Sequence, residues 1–428
     1  MNHLLPWSPS PFQHGAFVVL GLLVYVVVTR IGRQRRHPSA ALAWVTTIVA
    51  FPYLAVPVFL FFGTRKFARP ARRKGAAAAA AVPAGVPPWA GTLLAALDVP
   101  PACPNPSIQF QADGAGSLQA LLALCHGART QLDVGTFILG HDSVGAEVGH
   151  TLMAAAARGV RVRLLVDAIG SMATPRRQLD ALRAGGVAVT LFMPLLHNPL
   201  RGRTNLRNHR KLAVADGSLL WSGGRNLAAE YFIDRPGRPA WCDLSFTVEG
   251  AAATAAQRQF ERDWLLAGGE PSPAPAQADG PAAGGALAQW VPTGPDRADD
   301  TVYALLLAAA YHARTRLLAV TPYFVPDDAL LDAWCTACRR GVRLCLVVPA
   351  RSNHRLADLA RGDALRRLAE AGADVRLAPG MVHAKAVVVD DSMALCGSVN
   401  IDGRSLFLNY EAMMAFYGER EIAWLADW

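Results

Sequence analysis

The sequence predicts an α/β protein: two pseudo-symmetric α/β/α lobes behind an N-terminal pair of transmembrane helices. Three observations predict this class. The pattern His-x-Lys-x-x-x-x-Asp occurs twice, at His209-Lys211-Asp216 and His383-Lys385-Asp390, with identical spacing. Short strand-like runs alternate with helix-periodic segments in both halves that carry it. Two long apolar stretches with arginine-rich flanks open the chain.

The first apolar stretch, Pro11 to Thr29, contains FVVLGLLVYVVV; the second, Ala40 to Thr64, has no Asp, Glu, Lys or Arg. A bilayer span takes about 20 such residues, so both read as spans. No Lys or Arg precedes Arg30, so the basic leader of a cleaved signal peptide is missing. Arg30, Arg33, Arg35 and Arg36 lie between the stretches; Arg65, Lys66, Arg69, Arg72, Arg73 and Lys74 follow the second. In a hairpin, the larger basic cluster places the C-terminal bulk in the cytoplasm. Composition agrees with membrane attachment: 52% of residues are hydrophobic and only 18% charged. The net charge of +9 favours anionic partners, either a phospholipid surface or nucleic acid. Seven scattered cysteines argue against a disulfide framework. Cys335 and Cys338 have the spacing of a metal or redox pair, but they lie in a helical pattern with no second ligand pair.

The chain then divides by composition. Residues 1–74 form the anchor, with spans at about 11–29 and 40–64, and the Ala- and Pro-rich 75–106 reads as a linker. A first lobe covers 107–267, a second linker 268–285 and a second lobe 286–428. Strand-like runs in the first lobe are Gln131–Phe137, Val160–Val166, Val187–Phe192 and Lys211–Ala215. Those in the second are Arg316–Val320, Val342–Val348, Val375–Leu377 and Ala386–Val389. Helical periodicity separates them, as in Val148–Ala157 and Leu356–Ala371. The shared layout reads as an internal duplication with parallel or mixed sheets.

Lysine usage marks the motif as chemical. Of 42 Lys and Arg residues only four are lysines, and two of these, Lys211 and Lys385, occupy equivalent places in the repeat. A chain so poor in lysine keeps it where arginine does not substitute. Residues i and i+2 of a strand share a face, so His209 projects with Lys211 and His383 with Lys385. Convergence of the two copies would bring two imidazoles and two ammonium groups onto one site. Such a site suits a phosphodiester: the lysines neutralise non-bridging oxygens, one imidazole attacks phosphorus, and the other protonates the leaving oxygen. No metal or other cofactor is called for. Asp216 and Asp390 complete the motif but lie five residues beyond the lysines, where they are expected to order the strand end. Gly-x-x-Asn follows each copy, with Asn226 and Asn400 each seventeen residues beyond its His. These asparagines and Ser398 are candidates to contact phosphate or brace the lysines. Each imidazole also needs an acceptor on its other nitrogen, and Asp243 and Glu411 are the candidates, with Glu230 a weaker one.

These residues resemble the phospholipase D superfamily and, within it, the bacterial cardiolipin synthases. The resemblance rests on RGVRVRLLVDAIGS (158–171), RNHRKLAVADG (207–217), GGRNLAAEY (223–231), TPYFVPD (321–327) and HAKAVVVDDSMALCGSVNIDGRSLFLNYE (383–411). It extends from the N-terminal spans to about residue 415. One departure is Gly224, where many members carry Ser, as this chain does at Ser398. The resemblance implies phosphatidyl transfer between two phosphatidylglycerol molecules through a phosphohistidine, with His209 as nucleophile and His383 as acid/base. It also implies a multi-pass protein of the bacterial inner membrane, an anionic phospholipid surface as partner, and no nucleic acid. Hydrolysis, transfer to another alcohol, and a membrane-bound phosphodiesterase or nuclease are the rival readings, because the same intermediate serves each.

Overall fold

A computed structural model describes residues 10–31, 38–63, 82–194, 204–271 and 284–428. The first apolar stretch forms one helix, α1 (Pro11–Ile31), and its Pro11–Thr29 portion is long and apolar enough to cross a membrane. The second differs from expectation. It is divided into α2 (Pro38–Ala50) and α3 (Pro52–Phe62), each shorter than a bilayer span. Pro52 has no N–H to donate and disfavours helical geometry in the residue before it; Phe51 accordingly sits at φ −138°, ψ 59°. Both short helices pack on α1 through a small cluster of Tyr25, Ile48, Ala55 and Phe59. Gly21 permits this approach: a Cβ there would lie 2.7 Å from Val56 and 2.8 Å from Ile48.

The residues read as a linker are partly ordered. They contain α4 (Pro88–Ala96) and β1 (Cys103–Asn105). The Ala run at 75–81 and residues 272–283 of the second linker lie outside the described residues.

The first lobe follows in the order β2 (Ser107–Gln111), α5 (Gly114–Gly127), β3 (Gln131–Thr136), α6 (Ser143–Ala157) and β4 (Arg161–Asp167). It continues with α7 (Arg176–Ala184), β5 (Ala188–Phe192), β6 (Leu212–Ala215), β7 (Leu219–Gly223), β8 (Ser245–Glu249) and α8 (Ala251–Leu266). The second lobe begins β9 (Ala286–Thr293), α9 (Thr301–His312), β10 (Arg316–Val320), β11 (Phe324–Val325), α10 (Asp328–Arg339) and β12 (Arg343–Pro349). Then come α11 (Arg355–Ala360), α12 (Gly362–Glu370), β13 (Asp374–Ala378), β14 (Ala386–Val389) and β15 (Met393–Gly397). It closes with β16 (Ile401–Asp402), α13 (Gly403–Phe407), β17 (Glu411–Phe416) and α14 (Glu419–Asp427).

The sheets repeat one topology. The first is ordered β2-β8-β7-β6-β3-β4-β5; the second runs β9-β17-β15-β14-β10-β12-β13, with β1 added beside β9. In each, three strands are parallel (β3-β4-β5 and β10-β12-β13) and the rest pair antiparallel. The parallel strands are joined by helical crossovers; β3 and β4 are almost wholly buried, whereas the edge strand β13 keeps Asp374, Arg376 and Leu377 exposed. The antiparallel strands β7, β8, β15 and β17 fall outside the strand-like runs read from the sequence, although β15 and β17 carry short apolar runs and are buried along their length. The erstwhile linker serves the second lobe: β1 pairs with β9, and Trp89 of α4 stacks on His312 of α9 at 5.0 Å.

One apolar core crosses both sheets, holding Phe246 and Val248 of β8 with Ala394, Met414 and Phe416 of the second lobe. The Phe416 ring lies 5.0 Å from Phe110 and 5.4 Å from Phe246, both in the first lobe. A shared core makes the lobes one cooperative unit. Calorimetry of the detergent-solubilised protein should show one transition for both lobes, and Phe416→Ala should lower it by removing about 3–5 kcal/mol. Two resolved transitions in the parent chain would contradict this.

Candidate active site

β6 runs antiparallel to β3, with Leu212 opposite Gly135, so its start lies at the carboxyl end of the parallel strands. The same holds for β14, where Ala386 faces Val320. Each motif His and Lys therefore sits on the edge where open α/β sheets bind ligands.

The two edges are joined by backbone hydrogen bonds that cross between lobes. His209 N–H donates to the Tyr410 carbonyl (2.8 Å), and Tyr410 N–H donates to Arg207 (2.9 Å). In the mirrored contact His383 N–H donates to Cys242 (2.7 Å), and Cys242 N–H donates to Met381 (2.9 Å). Tyr410 precedes Glu411 and Cys242 precedes Asp243. Each carboxylate is thus delivered to the histidine of the other lobe. Asp243 Oδ2 lies 2.6 Å from His383 Nδ1, a hydrogen bond, and Glu411 Oε1 lies 3.6 Å from His209 Nδ1. Glu230 makes no hydrogen bond or ion pair to either imidazole among the described residues.

The two halves are not electrostatically equal. Burial alone would raise the Asp243 carboxyl, but Lys385 and His383 outweigh it and hold it at about 2. Burial pushes the Glu411 carboxyl up to about 7 despite the opposing charge of Lys211. Burial and the Lys385 charge bring His383 down to about 4 against the pull of Asp243. Burial and the charges of Lys211 and Arg404 hold His209 well below the usual imidazole range. Lys211 is lowered by burial, and Lys385 falls to about 7 for the same reason. At neutral pH both imidazoles are therefore uncharged, with a lone pair available to a substrate.

Both lysines pack back toward their histidines. Lys211 Nζ donates to the His209 carbonyl at 2.6 Å. Lys385 Nζ bonds to the His383 carbonyl and lies 2.7 Å from Nδ1 and 3.1 Å from Nε2 of that ring. Aromatic walls, unforeseen from the sequence, confine the imidazoles. Phe137 lies 3.7 Å from His209, while Tyr231 and Trp241 lie 5.0 and 5.4 Å from His383. Tyr231 and Trp241 stand close in sequence to Asn226 and Asp243, whereas Phe137, just after β3, carried no such signal.

The remaining candidates divide into near and remote. Asn226 donates to Tyr231 Oη (2.8 Å) and Asn400 to Ser405 Oγ (3.1 Å), and each keeps a buried Oδ1 without a partner among the described residues. Ser398 Oγ accepts from Ala412 N–H at 3.1 Å, beside Glu411. Gly224 stands at the equivalent of Ser398 because a Cβ there would meet Asp243 Oδ1 at 2.2 Å. The motif aspartates are remote. Asp216 lies at the far end of β6, at φ 51°, and accepts from the N–H groups of Arg129, Thr130 and Gln131. Asp390 does the same for Arg314, Thr315 and Arg316. These two therefore tie the strand ends and do not join the imidazoles.

Arg210, between His209 and Lys211, points to the opposite face, where the second copy has Ala384. It binds Asp263 at 2.6 and 2.7 Å and donates across the lobe interface to the carbonyls of Glu411 (3.0 Å) and Thr293 (2.9 Å). The strand carrying Glu411 is held from behind by this guanidinium. Among the described residues no cluster of three or more His, Cys, Asp or Glu side chains is arranged to hold a metal ion.

The duplicated sheets and the crossed His–carboxylate pairs define a two-lobed, phospholipase D-like protein. The family model described as "Cardiolipin synthase, PLD-like domain" matches residues 121–264 and 306–428. Cardiolipin synthase A of Pseudomonas aeruginosa (strain LESB58) is 34% identical over 92% of this chain and 85% of its own length. Cardiolipin synthase A of Pseudomonas entomophila is 30% identical over 94% and 88% respectively. The chain belongs to the cardiolipin synthase family of phospholipase D-like proteins. In fold it is similar to the crystal structure of a phosphatidylserine synthase from Haemophilus influenzae, with a TM-score of 0.61 over 79% of this chain and 89% of that one at 15% identity.

Removing the acceptor of three backbone N–H groups should destabilise without touching the chemistry. Asp216→Ala and Asp390→Ala should each cost about 2–4 kcal/mol, read as a lowered unfolding temperature, with kcat of the folded fraction retained. A kcat collapse at unchanged stability would put the aspartates in the reaction itself.

Proposed function

We propose that this chain is a cardiolipin synthase that transfers a phosphatidyl group from one phosphatidylglycerol to another. The observation that carries the mechanism is the pair of neutral imidazoles, each backed by a carboxylate from the opposite lobe and flanked by a lysine. Membership of the cardiolipin synthase family supports the substrate class.

In the first step His209 Nε2 attacks phosphorus, and the bond from phosphorus to the departing glycerol oxygen breaks. Binding of the anionic phosphodiester favours the protonated form of His383; the imidazolium gives its Nε2 proton to that oxygen, keeps Nδ1–H on Asp243, and glycerol leaves. In the second step His383 takes the proton of a hydroxyl on the second phosphatidylglycerol. The alkoxide oxygen attacks phosphorus, the P–N bond breaks, and His209 returns to neutral imidazole with cardiolipin as product. The asymmetry of the carboxylates supports this division. An ionised Asp243 hydrogen-bonded at 2.6 Å stabilises an imidazolium on His383, as an acid/base group requires. The His209 side chain keeps 19% exposure, against 8% for His383, and is the more open to attack on a substrate. Lys211 and Lys385 neutralise the phosphoryl oxygens as charge builds in the transition state.

The same reading takes residues 1–74 as a membrane anchor of the bacterial inner membrane, with lobes 107–267 and 286–428 on the cytoplasmic side. Helix α1 and the basic residues that follow the apolar segments support it.

Purified protein given labelled phosphatidylglycerol alone should release glycerol and form cardiolipin. Phosphatidic acid as the sole product would indicate hydrolysis, and cleavage of single-stranded DNA without lipid turnover would sink the reading. His209→Ala and His383→Ala should each lower turnover by about 10³-fold or more, and Lys211→Arg should impair it although charge is kept.

Lys385 titrates at about 7 in the free protein, and a bound phosphodiester anion raises it. The protonated form is the binding form, so kcat/KM should fall as pH rises above about 7 and level off below it. A kcat/KM flat from neutral pH to pH about 9 would contradict the depressed lysine.

A further inference from the structure

Leu356 and Leu359 are 82% and 79% exposed, more than any other large apolar side chain described outside the N-terminal helices. They are three residues apart on α11 and share one face of it. Their place in the fold is specific. α11 follows β12, a strand parallel to β10, so it emerges from the carboxyl edge that carries His383 and Lys385. The turn leading into α11 is fastened beside the site. Tyr323 Oη lies 2.6 Å from Asn353 Oδ1, and the His354 ring packs on Tyr323 at 5.0 Å. Tyr323 directly precedes β11, which pairs with β16 immediately after Asn400.

Charge around the two leucines is one-sided. Arg351 and Arg355 are exposed and have no ion pair among the described residues. Asp358, the one acid between residues 350 and 361, is engaged by Arg361 at 3.3 Å and by the Ser352 N–H at 2.9 Å. The duplicated lobe repeats the feature. The loop after β4, which is the counterpart of β12, carries Met172 at 70% exposure on the corresponding edge.

We propose that α11, with Met172 on the other side of the site, is an interfacial element that seats the active-site mouth on an anionic phospholipid bilayer. Leu356 and Leu359 enter the acyl-chain boundary while Arg351 and Arg355 meet the headgroups. Bare leucines next to unpaired arginines suit a bilayer surface of negative charge. A chain held at a membrane by α1 also keeps this edge within reach of one. The inference rests on the lipid-transfer reading, because only a membrane substrate needs the mouth to be docked. It adds to that reading a route by which phosphatidylglycerol reaches His209 without leaving the bilayer.

The test compares two forms of one substrate. The full chain is reconstituted in vesicles of phosphatidylglycerol and phosphatidylcholine, and assayed separately on monomeric dihexanoyl-phosphatidylglycerol in detergent. The double variant Leu356→Ser/Leu359→Ser should lose about tenfold on vesicles, through a higher KM in surface concentration, and keep its rate on the monomeric lipid. Leu356→Ile/Leu359→Ile should restore the vesicle rate. Arg351→Gln/Arg355→Gln should weaken the response to the phosphatidylglycerol fraction. Equal rates of variant and parent on vesicles would overturn the proposal, and so would an equal loss on both substrate forms, which marks a structural role. A parent chain inactive on both forms would overturn the lipid reading, and the docking role with it.

Discussion

The position of the two imidazoles depends on a pair of short backbone contacts that cross between the lobes. Tyr410 bonds to the segment that carries His209, and Cys242 bonds to the segment that carries His383. Because Glu411 and Asp243 are the next residues along, the contacts also decide which carboxylate serves which histidine. Neither lobe holds a complete site. The shared apolar core beneath, with Phe416 against Phe110 and Phe246, keeps the crossing in register. Arg210 adds a polar rivet by linking Asp263 to the backbone of Glu411.

Within this frame the site crowds ionisable groups of both signs. Two lysines, two imidazoles and two carboxylates share a buried space, where charge is costly unless it is paired. The responses are visible in each group: burial pushes Glu411 up and the lysines and histidines down, while Lys385 and His383 hold Asp243 low. A phosphodiester supplies the missing negative charge. Binding it favours the charged form of Lys385 and lets His383 carry the proton that a leaving oxygen requires. The arrangement is thus complementary to a ligand with anionic phosphorus.

Much of this was legible in the residues. The period and spacing of His-x-Lys-x4-Asp identified the reacting groups, because strand alternation places i and i+2 together without knowledge of the fold. The parallel strands were legible too, as short Val- and Leu-rich runs between helical segments. The antiparallel strands β7, β8, β15 and β17 were not: β7 and β15 are short second strands of hairpins with β6 and β14, and β8 and β17 also pair with β2 and β9, more than a hundred residues away. The linker before residue 107 hid α4 and β1, whose order comes from packing on α9 and β9, elements roughly two hundred residues away. The second apolar stretch looked continuous by composition, but Pro52 divides it through local backbone geometry.

By itself the sequence determined the duplication, the paired His and Lys residues, the apolar N-terminal segments and the phosphodiester class of chemistry. These follow from covalent spacing and side-chain type, which do not change on folding. Tertiary structure decided what depends on contacts between distant segments. It crossed Asp243 to His383 and Glu411 to His209. It set Phe137, Tyr231 and Trp241 around the imidazoles, and it laid the Asp243 carboxylate into the space a side chain at Gly224 would take. No spacing rule reaches these outcomes, because burial, and with it every shifted proton affinity in the site, exists only once the two lobes have closed on each other.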